Sequence, residues 1–140
     1  MINLIIAAGF LSSLTTTLVV IVIIMAGWSG YRYLQKFLLQ RYVNFLSEAD
    51  FQKGIRTAQV IDLRESKSFA AGHILGARNI PYASFRTVYH ELRPDLPVFL
   101  YDQTKTLSIR AAKLLHKQGY QQISILNEGY QRWDGKIKKD

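Results

Sequence analysis

The first 31 residues contain no charged side chain, although the 140-residue sequence has 18 Lys and Arg and 10 Asp and Glu residues. Met1–Trp28 is mostly apolar, and as a helix it would be about 42 Å long at 1.5 Å per residue. That length exceeds the roughly 30 Å hydrocarbon core of a bilayer. Trp28, Tyr31 and Tyr33 follow, and such aromatic rings suit the level of the lipid headgroups. Residues 1–30 are therefore predicted to form a transmembrane helix.

Two other interpretations fit this segment less well. A cleaved signal peptide has a positively charged start and an apolar core of about 7–15 residues. Here only the α-amino group precedes the apolar run, and the run is longer than that. A helix buried in a globular core would need more surrounding chain than the remainder supplies. A retained membrane anchor is the preferred prediction.

Charge asymmetry predicts how the anchor is oriented. Arg32, Lys36 and Arg41 follow the span, and the first acidic residue is Glu48. The positive-inside rule predicts a single-pass cell-membrane protein with its N-terminus outside and its C-terminal part in the cytoplasm. Residues 31–43 are predicted to be a juxtamembrane connector, and a specific lipid-binding helix is the alternative.

Composition also bears on partners. The net charge of +8 needs no nucleic acid to explain it, and no basic stripe interleaved with aromatic residues indicates nucleic-acid binding. Small residues at Ala7–Gly9, Ser12–Ser13 and Ala26–Gly27 make a homodimer through the transmembrane helix a possible arrangement. We expect the membrane as a partner and no nucleic acid.

Apolar periodicity and turn residues predict alternating strands and helices after residue 43. The predicted strands are Gln59–Leu63, Ala77–Ile80, Pro97–Tyr101 and Ile123–Leu126. The predicted helices begin at Ser47, at Glu65, at Ser84 and at Thr106 or Ser108, with a helical turn at Gly129–Trp133 and a frayed tail at Lys136–Asp140. This alternation predicts an α/β fold with a mostly parallel sheet. Ligand sites in such sheets form at the carboxyl ends of strands, here Asp62–Arg64 and Asp102–Leu107.

Three stretches resemble one known family. Val60–Pro81 (VIDLRESKSFAAGHILGARNIP) is similar to the signature of rhodanese domains. Val98–Ala112 resembles the strand, loop and helix of the family's active site, and Gly119–Trp133 resembles its closing strand and turn. The resemblance implies a rhodanese-like five-stranded parallel sheet flanked by helices, here expected over residues 44–137, with residues 138–140 as a charged tail.

The resemblance fails where the family's chemistry resides. Active members carry a cysteine directly after the strand, at the position that Asp102 occupies here. Lys105 takes the position of a glycine and Leu107 that of an arginine, whereas Tyr101 and Ser108 match. The chain has no cysteine at all, and a carboxylate does not carry sulfane sulfur as a thiolate does. We therefore predict a degenerate active-site loop with no catalytic residue, made of Asp102, Gln103, Thr104, Lys105, Thr106, Leu107 and Ser108.

Asp102 has three possible roles. It caps the following backbone N–H groups, as Asp commonly does in turns; it determines the binding of a partner; or it acts as a nucleophile. Capping is the preferred interpretation. Lys105 and Arg110 are expected to attract an anion toward the loop. The resemblance assigns a second set of residues to ordering the fold and its loops: Asp62, Arg64, Gly72 and His73.

These observations predict a membrane-anchored, catalytically inactive module that binds or scaffolds a partner at the cytoplasmic face, with a protein partner expected at the degenerate loop. The alternatives are a repurposed enzyme that uses Asp102, for instance for phosphate-ester hydrolysis, and a small-anion-binding domain. No cofactor is expected. The three histidines share no ligand spacing, so no metal site is expected either.

Overall fold

The computed structural model describes residues 1–140, and the chain divides into two compact units between Leu38 and Leu39. The first unit, Met1–Leu38, contains all but the last residue of one continuous helix, α1 (Ile2–Leu39), which continues beyond residue 30. It is long and apolar enough to cross a membrane by length and composition. Its hydroxyl groups bond back to carbonyls of the preceding turn, as Thr16 Oγ1 does to the carbonyl of Ser12 at 2.8 Å. The hydroxyl groups of Ser12, Thr15, Thr16 and Thr17 are therefore satisfied within the helix itself.

The second unit is built on a five-stranded sheet in which every neighbouring pair is parallel, in the order β1-β6-β5-β2-β4. The strands of the chain are β1 (Val43–Leu46), β2 (Gln59–Asp62), β3 (His73–Ile74), β4 (Arg78–Asn79), β5 (Val98–Tyr101), β6 (Ile123–Leu126) and β7 (Ile137–Lys138). The helices are α2 (Glu48–Gly54), α3 (Ser66–Ala71), α4 (Tyr82–Val88) and α5 (Thr106–Lys117), with 3₁₀ turns at Tyr89–Glu91 and Tyr130–Arg132. The predicted fold class is confirmed.

Alternation along the central strands separates two hydrophobic cores. Leu100 points to the core that contains Phe85 of α4 and Leu115 of α5. Its neighbour Tyr101 points to the other core, which contains Phe51 of α2. This period of two is expected for a sheet covered on both faces. The sheet therefore holds α4 and α5 on one side and α2 on the other.

Two elements of the domain differ from the sequence-based expectation. Strand β1 was not predicted, because four residues leading out of a helix carry too little periodicity to be recognised. Helix α4 begins at Tyr82, and Ser84 lies in its first turn with its hydroxyl donating to the carbonyl of Pro81. Proline fixes its own φ and favours a helix start just after it, so the helix begins earlier than the Ser84 cap suggested.

The C-terminal tail is paired with another strand, and the prediction that it is frayed is wrong. Strand β7 runs antiparallel to β3, and Lys138 lies opposite His73. The backbone N–H of Leu75 donates to the carbonyl of Lys136 at 3.2 Å, and that of Asp140 donates to Ala70 at 3.1 Å. A charged sequence does not reveal such pairing, because backbone groups supply the hydrogen bonds.

Candidate functional site

The degenerate loop leaves the middle of the sheet. Strand β5 lies between β6 and β2, and its last residue is followed by Asp102, which is only 3% exposed. The Asp102 carboxylate accepts hydrogen bonds from the backbone N–H groups of Leu107 and Ser108, both at 3.2 Å, and from the Ser108 hydroxyl. These N–H groups belong to the first turn of α5. Asp102 therefore caps this helix from outside its N-terminus.

This cap fills the place where a ligand anion would bind. The first N–H groups of a helix lack partners within the helix and attract negative charge. Here both oxygens of the Asp102 carboxylate are engaged by those donors, and the side chain is buried. The protein supplies its own anion at this position.

The backbone of the loop is held by a segment far along the chain. The N–H of Tyr130 donates to the carbonyl of Asp102 at 2.9 Å, and that of Gln131 donates to Gln103 at 3.2 Å. Gly129 has φ +70°, and a Cβ atom on it would lie 2.0 Å from the carbonyl oxygen of Thr104. The sequence pattern predicted only a helical turn at Gly129–Trp133. The available signal was a glycine three residues after the end of β6.

The middle of the loop faces solvent. Gln103, Thr104, Lys105 and Thr106 are exposed. The Lys105 amino group donates to Asn127 Oδ1 at 3.0 Å and lies 5.7 Å from the centre of the Phe45 ring. Lys105 is thus held beside other residues of its own fold.

The two cations expected to attract an anion to the loop are not brought together there. Arg110 instead lines a groove with residues of α4, while Lys105 contacts Asn127. Leu107, which takes the place of the family's arginine, is partly buried against the hydrophobic core that contains Leu115. The loop therefore presents one cation that is already hydrogen-bonded.

Asp62 and Arg64 form a buried pair at the end of β2. The Arg64 Nε lies 3.1 Å from both carboxylate oxygens of Asp62, and a terminal nitrogen of Arg64 lies 2.7 Å from Oδ2. Asp62 is 0% exposed and Arg64 is 8% exposed. Burial by itself lowers the pKa of Arg64, but hydrogen bonding to Asp62 and the attraction of its charge outweigh burial, so the pKa is raised. Arg64 therefore keeps its positive charge beside Asp62.

The same guanidinium connects two further segments. It donates to the carbonyl of Gly72 at 2.8 Å, and its central carbon lies 3.8 Å from the centre of the Tyr130 ring. Next to Gly72, the His73 ring is stacked on Phe69 at 3.6 Å between centroids, with Nδ1 2.8 Å from the carbonyl of Phe69. These four motif residues therefore hold the loops together by direct contacts.

Asn79 and Tyr101 complete the same framework, although the sequence pattern predicted a role for neither. The Asn79 amide donates to the carbonyls of Asp62 and Arg64 at 3.1 and 2.9 Å. The Tyr101 hydroxyl accepts a hydrogen bond from the backbone N–H of Ile74 at 3.1 Å. Burial, together with the nearby charge of Asp62, raises the pKa of Tyr101 well above its ordinary value.

A small pocket of about 260 Å³ lies beside the loop. It is lined by Arg64, Ser68, Ala71, Gly72, Gln103 and Tyr130. Asp102 is not among the lining residues, because its carboxylate is turned to the start of α5. No group of three or more His, Asp or Glu side chains is placed to hold a metal ion. Of the residues in the degenerate loop, only Gln103 lines the pocket, and its amide is not a nucleophile.

The sequence over residues 47–136 matches the family model of the rhodanese-like domain. The chain belongs to the rhodanese-like domain family. It is 43% identical over 119 residues to the uncharacterized protein YqhL of Bacillus subtilis strain 168, covering 85% of this chain and 94% of that protein. It is 33% identical over 76 residues to the thiosulfate sulfurtransferase GlpE of Pseudomonas aeruginosa strain LESB58, covering 54% and 69%.

Solved structures show the same rhodanese fold. The rhodanese-related protein of Thermoplasma volcanium superposes with a TM-score of 0.65 and 23% identity, covering 69% of this chain and 99% of that one. Within this rhodanese-like family, the present chain combines an intact Asp62–Arg64 framework with a loop that has no thiol. The chemistry that depends on a cysteine is therefore missing its reacting atom.

Proposed function

We propose that this chain is a membrane-anchored, catalytically inactive rhodanese-like module that binds or scaffolds a protein partner at the cytoplasmic face. The observation that carries the proposal is the Asp102 carboxylate, bound to the N–H groups of Leu107 and Ser108. Persulfide transfer needs a thiolate and free N–H donors around it. At this position the chain has no thiol, and the N–H groups of Leu107 and Ser108 are already bound to the Asp102 carboxylate.

The two alternative functions receive less support. A nucleophilic carboxylate has to reach its substrate, whereas Asp102 is 3% exposed and both of its oxygens accept hydrogen bonds. An anion that binds the N–H groups of Leu107 and Ser108 would have to displace this carboxylate from the helix N-terminus. The filled cradle thus favours a binding surface over an enzyme and over an anion site in the loop.

The exposed rim of the loop supports a partner-binding role. Gln103, Thr104 and Thr106 are exposed, and none of these three residues belongs to either hydrophobic core. They stand on a rigid base, because Asp102 and Gly129 fix the backbone beneath them. Rigid presentation of exposed polar groups lowers the entropic cost of binding.

Membrane anchoring is supported by α1 and by the charges that follow its apolar part. Arg32, Lys36 and Arg41 precede the first acid, which favours a cytoplasmic location for the rhodanese-like domain. The chain lacks cysteine, so single cysteines introduced at Asn3 and at Lys139 report topology without background. We expect an impermeant maleimide added to intact cells to label N3C only. Labelling of K139C alone would contradict the orientation.

The catalytic part is tested with purified full-length protein in detergent. We expect no sulfur transfer from thiosulfate to cyanide and no hydrolysis of a chromogenic phosphate ester. Turnover that Asp102→Asn abolishes, while the fold is kept, would establish the repurposed enzyme instead.

The binding part is tested by photo-crosslinking in the native membrane. A photoreactive residue replaces Gln103 in the loop, and the matched control replaces Gln121, an exposed residue in the connection that precedes β6. We expect one protein to be captured from position 103 and not from position 121. Equal capture from both positions, or none from either, would reject the loop as the binding surface.

A further inference from the structure

A basic groove lies between α4 and α5, away from the degenerate loop and independent of the function proposed above. Its volume is about 390 Å³, within the range of about 300–1,000 Å³ that small-molecule sites occupy. It is lined by Tyr82, Arg86, Arg110, Lys113, Leu114 and Lys117. We call it the α4–α5 groove.

Helical periodicity assembles these residues. Tyr82 and Arg86 are four residues apart on α4, and Arg110, Lys113 and Lys117 are spaced by three and four residues on α5. Such spacings place side chains on one face of a helix. The two faces meet because Phe85 of α4 and residues of α5 pack into the same core. Four cations therefore line one concave surface.

None of the four cations has an acidic partner. Neither α4 nor α5 contains an Asp or Glu residue, and no ion pair of the protein includes Arg86, Arg110, Lys113 or Lys117. By contrast, exposed Arg78, outside the groove, pairs with Glu91. Like charges three or four residues apart destabilise a helix by about 0.2–0.5 kcal/mol per pair. No acidic side chain offsets this cost.

The helix dipole explains only part of this arrangement. Lys117 lies in the last turn of α5, where a cation is favourable. Arg110 lies in the N-terminal half of α5, where that benefit is absent, and Arg86 belongs to the other helix. The helix dipole thus leaves the convergence of Arg86 and Arg110 unexplained, whereas an anion bound between the two helices would account for it.

The chemistry of the lining indicates which anion. Two guanidinium groups offer paired donors that match phosphate oxygens, and two ammonium groups add mobile point charges. The Tyr82 side chain adds a hydroxyl group to the lining, and Leu114 supplies a small apolar wall. We propose that the α4–α5 groove binds a compact phosphate-bearing ligand with at least two negative charges. A free diphosphate and the phosphate headgroup of an anionic lipid both present this chemistry.

The test uses the full chain in nanodiscs and reports on the Lys117 amino group. In the first arm the lipid is zwitterionic and inorganic pyrophosphate is added; in the second, phosphatidic acid replaces part of the lipid and no pyrophosphate is present. Acylation of Lys117 by an amine-reactive reagent is followed by mass spectrometry. We expect protection of Lys117 in at least one arm, and the arm that protects it identifies the source of the phosphate.

Two double variants separate a specific site from general attraction. R86Q/R110Q removes both guanidinium groups from the groove, whereas R56Q/R132Q removes two exposed arginines elsewhere and changes the net charge equally. We expect R86Q/R110Q to lower the affinity for the ligand that protects Lys117 by at least about tenfold, since each charged hydrogen bond contributes more than a neutral one. R56Q/R132Q should retain affinity.

Two results would overturn the proposal. One is no protection of wild-type Lys117 in either arm. The other is an equal loss of affinity in the two double variants, which would mean that net charge alone attracts the anion. Circular dichroism of each variant checks that the fold is kept, and calorimetric titration with pyrophosphate repeats the first arm without a lysine reagent.

Discussion

Asp62 and Asp102 lie at the ends of neighbouring parallel strands, and they are stabilised in different ways. Asp62 is 0% exposed and pairs with the Arg64 guanidinium. Asp102 is 3% exposed and has no cationic partner; backbone N–H groups and the Ser108 hydroxyl bind it instead. One carboxylate is neutralised by a side chain and the other by the start of a helix.

The difference indicates how a rhodanese-like fold persists without its thiol. The Asp62–Arg64 pair reaches Gly72 and Tyr130, so its contacts stabilise the fold whether or not the loop is reactive. At the other strand end, Asp102 supplies the negative charge that the helix N-terminus attracts. The loop is therefore stable with no ligand bound.

The largest expected effect concerns the side-chain pair. Arg64→Leu leaves the buried Asp62 carboxylate without its cation and removes the donor to the carbonyl of Gly72. We expect the free energy of unfolding to fall by about 3–5 kcal/mol, as when one partner of a buried ion pair is removed. Arg132→Leu, which breaks an exposed pair with Glu128, should cost at most about 1 kcal/mol. Urea unfolding in detergent measures both, and equal losses would remove the distinction.

The second prediction concerns the base of the Asp102 loop. Gly129→Ala would place a Cβ atom 2.0 Å from the Thr104 carbonyl oxygen at φ +70°. We expect a loss of about 2–4 kcal/mol from left-handed strain together with overpacking. Gly119→Ala is the control, since its φ is +90° and the space around it is open; only the strain of about 1 kcal/mol should appear. Equal losses would mean that the contact with the loop is unimportant.

The third prediction concerns the cap itself. Asp102→Ala leaves the N–H groups of Leu107 and Ser108 without their acceptor. We expect a loss of about 2–3 kcal/mol, at or above the upper end for helix caps, because two hydrogen bonds to a charged group are lost together. Asp102→Asn keeps one acceptor oxygen and should lose about half as much. If Asp102→Ala left the free energy of unfolding unchanged, the carboxylate would not be a cap, and a catalytic role would again have to be tested.

The fourth prediction concerns pH and Tyr101, which lies beside Asp62. The pKa of Tyr101 is raised in the folded protein above its ordinary value of 10.0, mainly by burial. As the pH rises, Tyr101 loses its proton in the unfolded chain before it does so in the folded protein. The contribution of Tyr101 to the free energy of unfolding is therefore fully present below pH 10 and is lost as the pH rises above 10. The slope is about 1.4 kcal/mol per pH unit for one group. Tyr101→Phe should show a shallower alkaline decline, and parallel curves would contradict this.

The smallest effect is expected at the exposed rim of the loop. Gln103→Ala removes a solvent-exposed side chain and should change the free energy of unfolding by no more than about 0.5 kcal/mol. The same substitution should weaken partner capture through the loop. A large loss of stability would assign Gln103 to the framework, together with Gly129, and not to the binding surface.

Much of the fold could be predicted because its signals are local. The strand Ile123–Leu126 is observed as predicted, and helix α2 begins after Ser47, whose hydroxyl accepts from the N–H of Asp50 at 3.2 Å. Strand β1 and the pairing of β7 with β3 were not predicted. Two to four residues carry little periodicity, and the choice of partner strand depends on residues far away in the chain.

The sequence by itself determined that this rhodanese-like chain has no thiol, that all its charges lie after Tyr31, and that its elements alternate. These properties follow from residue identity and spacing. Only the tertiary structure decided that the Asp102 carboxylate binds N–H groups of α5. The same holds for Gly129, which is distant in the sequence but packs against the loop, and for Arg86 and Arg110, which line one groove. These contacts join segments brought together by the parallel sheet and its crossover helices, and no local pattern specifies them.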